Sequence, residues 1–157
     1  MNTVTPEKIT QNRVIKLFTE ELGYTYLGNW QYREHNSNIE EELLTKYLTQ
    51  TGYNSTQISK AIHELKQEAN QIDSNLYHRN KAVYGLLRYG VSVKTEAGKN
   101  AEDVNFINWK QPEKNQFYLA EEVTLKGDHN RRPDIVLYIN GIAIGIIELK
   151  KSTVSIG

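Results

Sequence analysis

Three charged residues interrupt two strongly apolar stretches in the last quarter of this 157-residue sequence. Asp134 follows Pro133 and heads the run Ile135-Val136-Leu137-Tyr138-Ile139, while Glu148 and Lys150 close the run that begins at Ile142. A buried ionised group costs several kcal/mol unless it is paired or bound to a metal, so plain core strands would avoid these residue types. Two converging carboxylates, in a chain without cysteine and with no histidine in either run, suit a hard cation such as Mg²⁺. A lysine two positions beyond the glutamate is placed to orient or deprotonate a water, or to stabilise charge developing on phosphate. Together they form a constellation for metal-assisted phosphodiester hydrolysis. The alternative is that Asp134 caps the start of its strand while Glu148 and Lys150 form a solvated pair where the sheet frays.

Strand parity sharpens the comparison and leaves both readings open. Asn140-Gly141 is a strong hairpin signal. A two-residue turn there sets Asp134 opposite Ile147 and turns Glu148 to the other face. A three-residue loop, Ile139-Asn140-Gly141, sets Asp134 opposite Ile146, so that Asp134, Glu148 and Lys150 share one face. The carboxylates are then diagonal neighbours, roughly 7–8 Å apart at the α-carbons. Glycine at the third loop position provides the positive φ that a type I turn plus bulge requires. The three-residue loop is therefore expected. Both strands are apolar at nearly every position, which predicts cover on both faces of the hairpin.

The elements that must position these residues change character along the chain. Thr5-Pro6 starts a helix that carries Ile9, Val14, Leu17, Phe18 and Leu22 at helical spacing and ends at Gly23. Tyr24–Asn36 reads as an ordered loop or short strand. Ser37 and Glu40 form a capping box for a second helix, with Ile39, Leu43, Leu44, Tyr47 and Leu48 on one side and Gly52 after it. A third helix runs from about Ser55 with Ile58, Ala61, Ile62, Leu65, Ala69 and Ile72 on one face. A shorter fourth, Lys81–Arg88, stops at Gly90. Thereafter the period is two: Val91–Thr95, Val104–Trp109 and Phe117–Leu125 read as strands ahead of the hairpin. The fold class is α/β (α+β), a mixed sheet flanked by helices with a helical segment at about 38–90.

Composition bounds the function. Lys plus Arg number 19 and Asp plus Glu number 19, a balance that excludes a histone-like polycation or an acidic tail. With 38 % apolar residues, 10 Tyr, two Trp and three Phe, the chain has the material for a packed core. The absence of cysteine fits a reducing cytoplasm. The longest apolar stretch, Ile142–Ile147, is too short to span a bilayer, and Met1–Glu7 has no signal-peptide core. A soluble cytoplasmic domain with no membrane partner is expected.

Pro133-Asp134 and Glu148-Leu149-Lys150, with 13 residues between the two acids, resemble the PD-(D/E)xK nuclease motif. The surrounding runs are more specific. Glu121-Glu122-Val123-Thr124, then Arg131 through Gly141, then Ile146 through Lys151 are similar to the N-terminal nuclease region of type I restriction enzyme R subunits. The opening Thr10–Ile15, Leu22-Gly23-Tyr24 and the Asn38–Leu44 segment resemble the same family. The resemblance implies a restriction-endonuclease-like fold over 1–157, a single nuclease domain cut short of a following helix and of the motor. It implies that Asp134 and Glu148 ligate Mg²⁺, that the Leu149 backbone carbonyl adds a ligand, and that Lys150 acts on the attacking water. It further implies duplex DNA as substrate, cut non-specifically after ATP-driven translocation by the parent subunit, with methyltransferase and specificity subunits as partners.

Related nucleases often add an acidic residue from the first helix. Here Glu7, Glu20 and Glu21 are available, while the middle of the helix reads Gln11-Asn12-Arg13, and no residue is assigned that role. Residues 126–157 hold five basic and three acidic groups, and Arg131, Arg132 and Lys151 are candidate phosphate contacts. The segment also reads as a solvated loop, in which His129 is a polar loop residue. His35, His63 and His78 read as surface residues. Tyr24, Tyr26, Trp30 and Tyr32 read as helix–sheet packing rather than base stacking. Two other functions compete with the type I nuclease: a non-catalytic docking or DNA-holding module of the restriction complex, and another PD-(D/E)xK nuclease such as a repair exonuclease.

Overall fold

A computed structural model of the chain describes residues 5–71, 75–96, 98, 100–125 and 130–150. In chain order the elements are α1 (Pro6–Lys16), continued by a π-helical turn (Leu17–Glu21), β1 (Thr25–Asn29), α2 (Glu41–Gln50), α3 (Ser55–Ala69) and α4 (Leu76–Tyr89). They are followed by β2 (Val91–Val93), β3 (Glu102–Val104), a 3₁₀ turn (Pro112–Lys114), β4 (Phe117–Glu121), β5 (Ile135–Ile139) and β6 (Ile142–Ile147). The expected α/β class with a mixed sheet holds. The chain divides into two compact units: residues 1–38 with 117–157, and residues 39–116.

The first unit holds a four-stranded sheet in the order β1-β4-β5-β6, with β1 parallel to β4 and the other pairs antiparallel. Helix α1 starts as its sequence dictates, the Thr5 hydroxyl accepting from the Lys8 amide and Pro6 filling the first turn. It is seated on the sheet by aromatics, Phe18 edge-on to Tyr24 at 4.9 Å and Tyr24 against Phe117 at 5.4 Å. Trp30 is buried against Tyr138 at 5.8 Å and Tyr24 is half-buried, as expected, whereas Tyr32 is 88 % exposed.

The hairpin departs from expectation in two ways. Asn140 (φ 52°) and Gly141 (φ 92°) are both left-handed, and Ile139 pairs directly with Ile142. This is a two-residue turn, because Asn tolerates that region well enough for the tight turn whose twist matches the strands. The ladder then slips: Tyr138 pairs with Ala143 but Leu137 pairs with Gly145, so Ile144 is a bulge residue in β6. The expectation that both faces are covered also fails for β6. It is the edge strand of the sheet, and Ile144 and Ile146 are 47 % and 62 % exposed.

In the second unit, α3 buries Ile58, Ala61, Ile62 and Leu65, and α2 buries Leu44, Tyr47 and Leu48. The short antiparallel pair β2–β3 adds Val91, Val93 and Val104 to this unit's core. The expected Ser37–Glu40 capping box does not form, since α2 begins only at Glu41 with Glu40 as its cap residue and no side-chain cap bond. A capping box belongs instead to α3, where Asn54 and Gln57 exchange side-chain and backbone bonds. Asn75 caps α4, which starts five residues earlier than its apolar pattern suggests. Residues 107–109 form no strand, and Ile72 lies outside the described residues.

Gly90 makes the turn from α4 into β2 at φ +82°, where an added Cβ would stand 2.7 Å from the Val104 carbonyl oxygen. Strain and clash act together there. Gly90→Ala is expected to destabilise the protein by about 1–3 kcal/mol, read as a lowered urea midpoint.

Candidate functional site

The bulge at Ile144 determines the site. Beyond it, Val136 pairs with Ile146 and Ile135 with Ile147. Continuing that register by one step sets Asp134 opposite Glu148, not diagonal to it, with Cβ atoms roughly 4.5–5.5 Å apart. The expected shared face is therefore reached by another route: the two-residue turn alone would have turned Glu148 away, and the extra residue turns it back. The backbone locks the arrangement, because the Leu149 amide donates to Asp134 Oδ2 at 2.6 Å. Lys150, two positions past Glu148, is exposed.

A third carboxylate joins this row from β4. Glu122 follows the last β4 residue with φ 53°, an uncommon conformation for its type, and its amide donates to the Asp134 carbonyl at 2.9 Å. The Val123 amide likewise donates to the Pro133 carbonyl at 3.2 Å. The ends of three neighbouring strands thus bring Glu122, Asp134 and Glu148 together. Burial of the Glu148 carboxyl, then the charges of Asp134 and Glu122, push its pKa up. Glu148 is exposed as a residue, so water screens much of this repulsion.

Next to the row lies a fourth acid, Glu121, which is buried. Its Oε2 accepts from Lys8 Nζ at 2.6 Å and Gln11 Nε2 at 3.0 Å, and its Oε1 from Tyr26 OH at 2.8 Å and Asn29 Nδ2 at 3.4 Å. Burial alone would raise its pKa, but the bond and charge of Lys8 with the bonds from Tyr26 and Asn29 outweigh that and hold it low. Tyr26 is pushed up to about 12 by its own burial and by Glu121. From the first helix, Gln11 reaches the strand ends along with Lys8; it is buried, and its amide also lies 3.2 Å from Glu122 Oε1 and 3.2 Å from the Asp134 carbonyl. Glu20 instead faces Lys16 at 3.6 Å on the surface.

The basic candidates are placed differently from one another. Arg132 Nε sits 3.1 Å from Glu122 Oε2, so it neutralises the row rather than standing alone. Arg131 is exposed, and its backbone bridges Leu125 in both directions. Lys151, Lys126 and His129 lie outside the described residues. Among the described residues, no group of three or more His, Asp or Glu is arranged to cage a metal, and no helix is long and apolar enough to cross a membrane.

The family described as type I restriction enzyme R protein N terminus matches residues 3–157. The chain belongs to that family. Three putative type I restriction enzyme endonuclease subunits of Methanocaldococcus jannaschii are similar to it. MjaVIIIP is 27 % identical over 159 residues, covering 96 % of this chain and 15 % of the relative. MjaIXP is 25 % identical over 156 residues, 90 % of this chain and 15 % of the relative. MjaVIIP is 40 % identical over 65 residues, 41 % of this chain and 6 % of the relative. The chain therefore spans about 15 % of the length of the relatives that it matches end to end. No solved structure matches.

In this R-subunit N-terminal region, the sequence pattern singled out Asp134, Glu148 and Lys150 but missed Glu122, Glu121, Gln11 and Lys8 as neighbours of the site. The Glu121-Glu122 pair at the end of an apolar strand was the one available signal. Gln11 has none, since a glutamine in mid-helix reads as surface.

The two acids predict opposite pH behaviour. Glu121 has a depressed folded pKa, so its contribution to stability is present at neutral pH and is lost as pH falls through that pKa. Glu121→Gln is expected to cost about 1–3 kcal/mol at pH 7 and to remove that part of the acid limb. Glu148 has a raised folded pKa, so its cost is fully present above that pKa and fades as pH falls through it. Glu148→Gln is expected to be at least as stable as the parent at pH 7, the two converging in acid. Urea midpoints at pH 7 and pH 4 check both.

Proposed function

We propose that this chain is the Mg²⁺-dependent DNA-cleaving region of a type I restriction enzyme R subunit of the PD-(D/E)xK kind. The observation that carries this reading is the bulge-set register, which continued one step past Ile135 and Ile147 faces Asp134 with Glu148, together with the bond from the Leu149 amide to the Asp134 carboxylate. The donor chemistry fits a hard cation: all oxygen, two facing carboxylates, and a glutamate whose pKa is raised by burial and then by the charges of Asp134 and Glu122, which a divalent charge would offset. The two carboxylates and the Leu149 carbonyl would hold Mg²⁺, the rest of its shell being water and phosphate, since Mg²⁺ characteristically keeps several waters. When bound, the ion polarises the phosphodiester and makes its water a better nucleophile.

The chain's own residues do the rest. The Leu149 amide fixes one oxygen of Asp134 and so aims the other. Glu122, held by Gln11 and Arg132, fixes the backbone at Asp134 from the opposite side. Lys150 orients the attacking water and takes or returns its proton at Nζ. Arg131 and Lys151 contact the DNA backbone. Cleavage is non-specific in sequence and follows ATP-driven translocation by the parent subunit, working with methyltransferase and specificity subunits on duplex DNA.

Nicking of supercoiled plasmid by the assembled restriction complex tests this. Metal-dependent cleavage is expected, with Asp134→Ala and Lys150→Ala each lowering it at least 100-fold while leaving far-UV circular dichroism and ATP hydrolysis intact. Undiminished cleavage by both variants contradicts the assignment.

A further inference from the structure

The unit formed by residues 39–116 carries ten basic and ten acidic residues, yet it does not distribute them evenly. A groove of about 920 Å³ opens between α2, the end of α4 and the segment 105–114, and its charged lining residues are Arg88, Lys110 and Lys114, with no Asp or Glu. Two aromatics stand at it with much of their surface in water, Trp109 at 47 % and Tyr89 at 76 % exposed. Burying such rings is favourable, so leaving them open is a cost that a ligand would recover. Trp109 is also fixed in place. Its indole Nε1 donates to the Leu87 carbonyl at 2.8 Å, in the last turn of α4, and the Arg88 guanidinium sits 5.2 Å from its ring centroid. Asn105 and Asn108 add amide groups to the same wall.

A fixed, half-exposed indole and an exposed phenol ring beside cations match the bases and phosphates of an unpaired nucleic acid strand. Bases stack on rings whatever their sequence, and phosphates follow positive charge. We propose that this groove binds a single strand of DNA, its bases on Trp109 and Tyr89 and its phosphates against Arg88, Lys110 and Lys114. The inference rests on the reading of the chain as acting on DNA, but it uses none of the cleavage residues. It gives the helical unit a role of its own: holding a strand that has been separated from its complement.

The test is anisotropy of a fluorescein-labelled 15-mer of thymidylate with the full chain, in EDTA so that cleavage plays no part. Salt-sensitive binding is expected, tighter than to a duplex of equal length. Lys110→Glu with Lys114→Glu is expected to weaken it at least tenfold and to flatten the salt slope by about 1.4, roughly 0.7 per phosphate contact. Trp109→Leu is expected to weaken the thymidylate oligomer about 5- to 150-fold, in line with the stacking of one base, and to leave an abasic oligomer unaffected. If Trp109→Leu fails to fold, the exposed lysine pair still decides the matter. No binding by the wild type, a lysine double variant with unchanged affinity and slope, or preference for duplex each overturns the proposal. Because binding is read in EDTA and the groove variants leave the cleavage residues untouched, failure of the groove and failure of the nuclease reading remain separate results.

Discussion

The face on which Glu148 stands is decided by one residue of backbone register. Strand side chains alternate with a period of two, so any single insertion between the turn and the glutamate exchanges inside for outside over the rest of the strand. Ile144 is that insertion. With it, the ends of β4, β5 and β6 carry Glu122, Asp134 and Glu148 as neighbours; without it, Glu148 would point to the face opposite Asp134. The bulge sits on an edge strand, where a local break in the ladder disturbs only one neighbour.

A row of carboxylates is unstable by itself, and the surroundings show how the fold tolerates it. Two of the three acids are held by neutral or cationic donors: Asp134 by the Leu149 amide, Glu122 by Gln11 and Arg132. Glu148 carries the residual repulsion. Glu121, the residue before Glu122 in the chain, is buried and satisfied by four donors from α1 and β1. That buried cluster ties the first helix to the strand ends, so of two adjacent glutamates one serves the architecture and the other stands beside the carboxylate row. Gln11 touches both.

Much of this was legible in the residue pattern, and the exceptions have physical causes. Asp134, Glu148 and Lys150 stood out as charges beside apolar runs, but all three lie just outside β5 and β6, and Glu148 and Lys150 are exposed rather than buried in the strands. Helix α1 was readable from Thr5-Pro6 to Gly23, since capping and termination are local. The turn was misread because Asn140-Gly141 suits both a two-residue turn and a longer loop, and Ile-Ala-Ile-Gly-Ile-Ile contains nothing that marks Ile144 as the bulge. The correct face was reached with the wrong loop, as two changes of parity cancel. Glu121, Gln11 and Lys8 escaped notice because their contacts span more than 100 positions, beyond what spacing in one sequence conveys. The helical unit's apolar faces were legible, but its groove was not, since Arg88, Lys110 and Trp109 meet only after α4 and the segment beyond β3 have folded.

The central claim is that Asp134 and Glu148 form one divalent-cation site. Titration of Mn²⁺ followed by electron paramagnetic resonance tests it without DNA, partners or turnover. One saturable site is predicted for the wild type, lost in Asp134→Asn and in Glu148→Gln and retained in Glu20→Gln. Equal Mn²⁺ binding by all four proteins, or none by the wild type, would contradict the account.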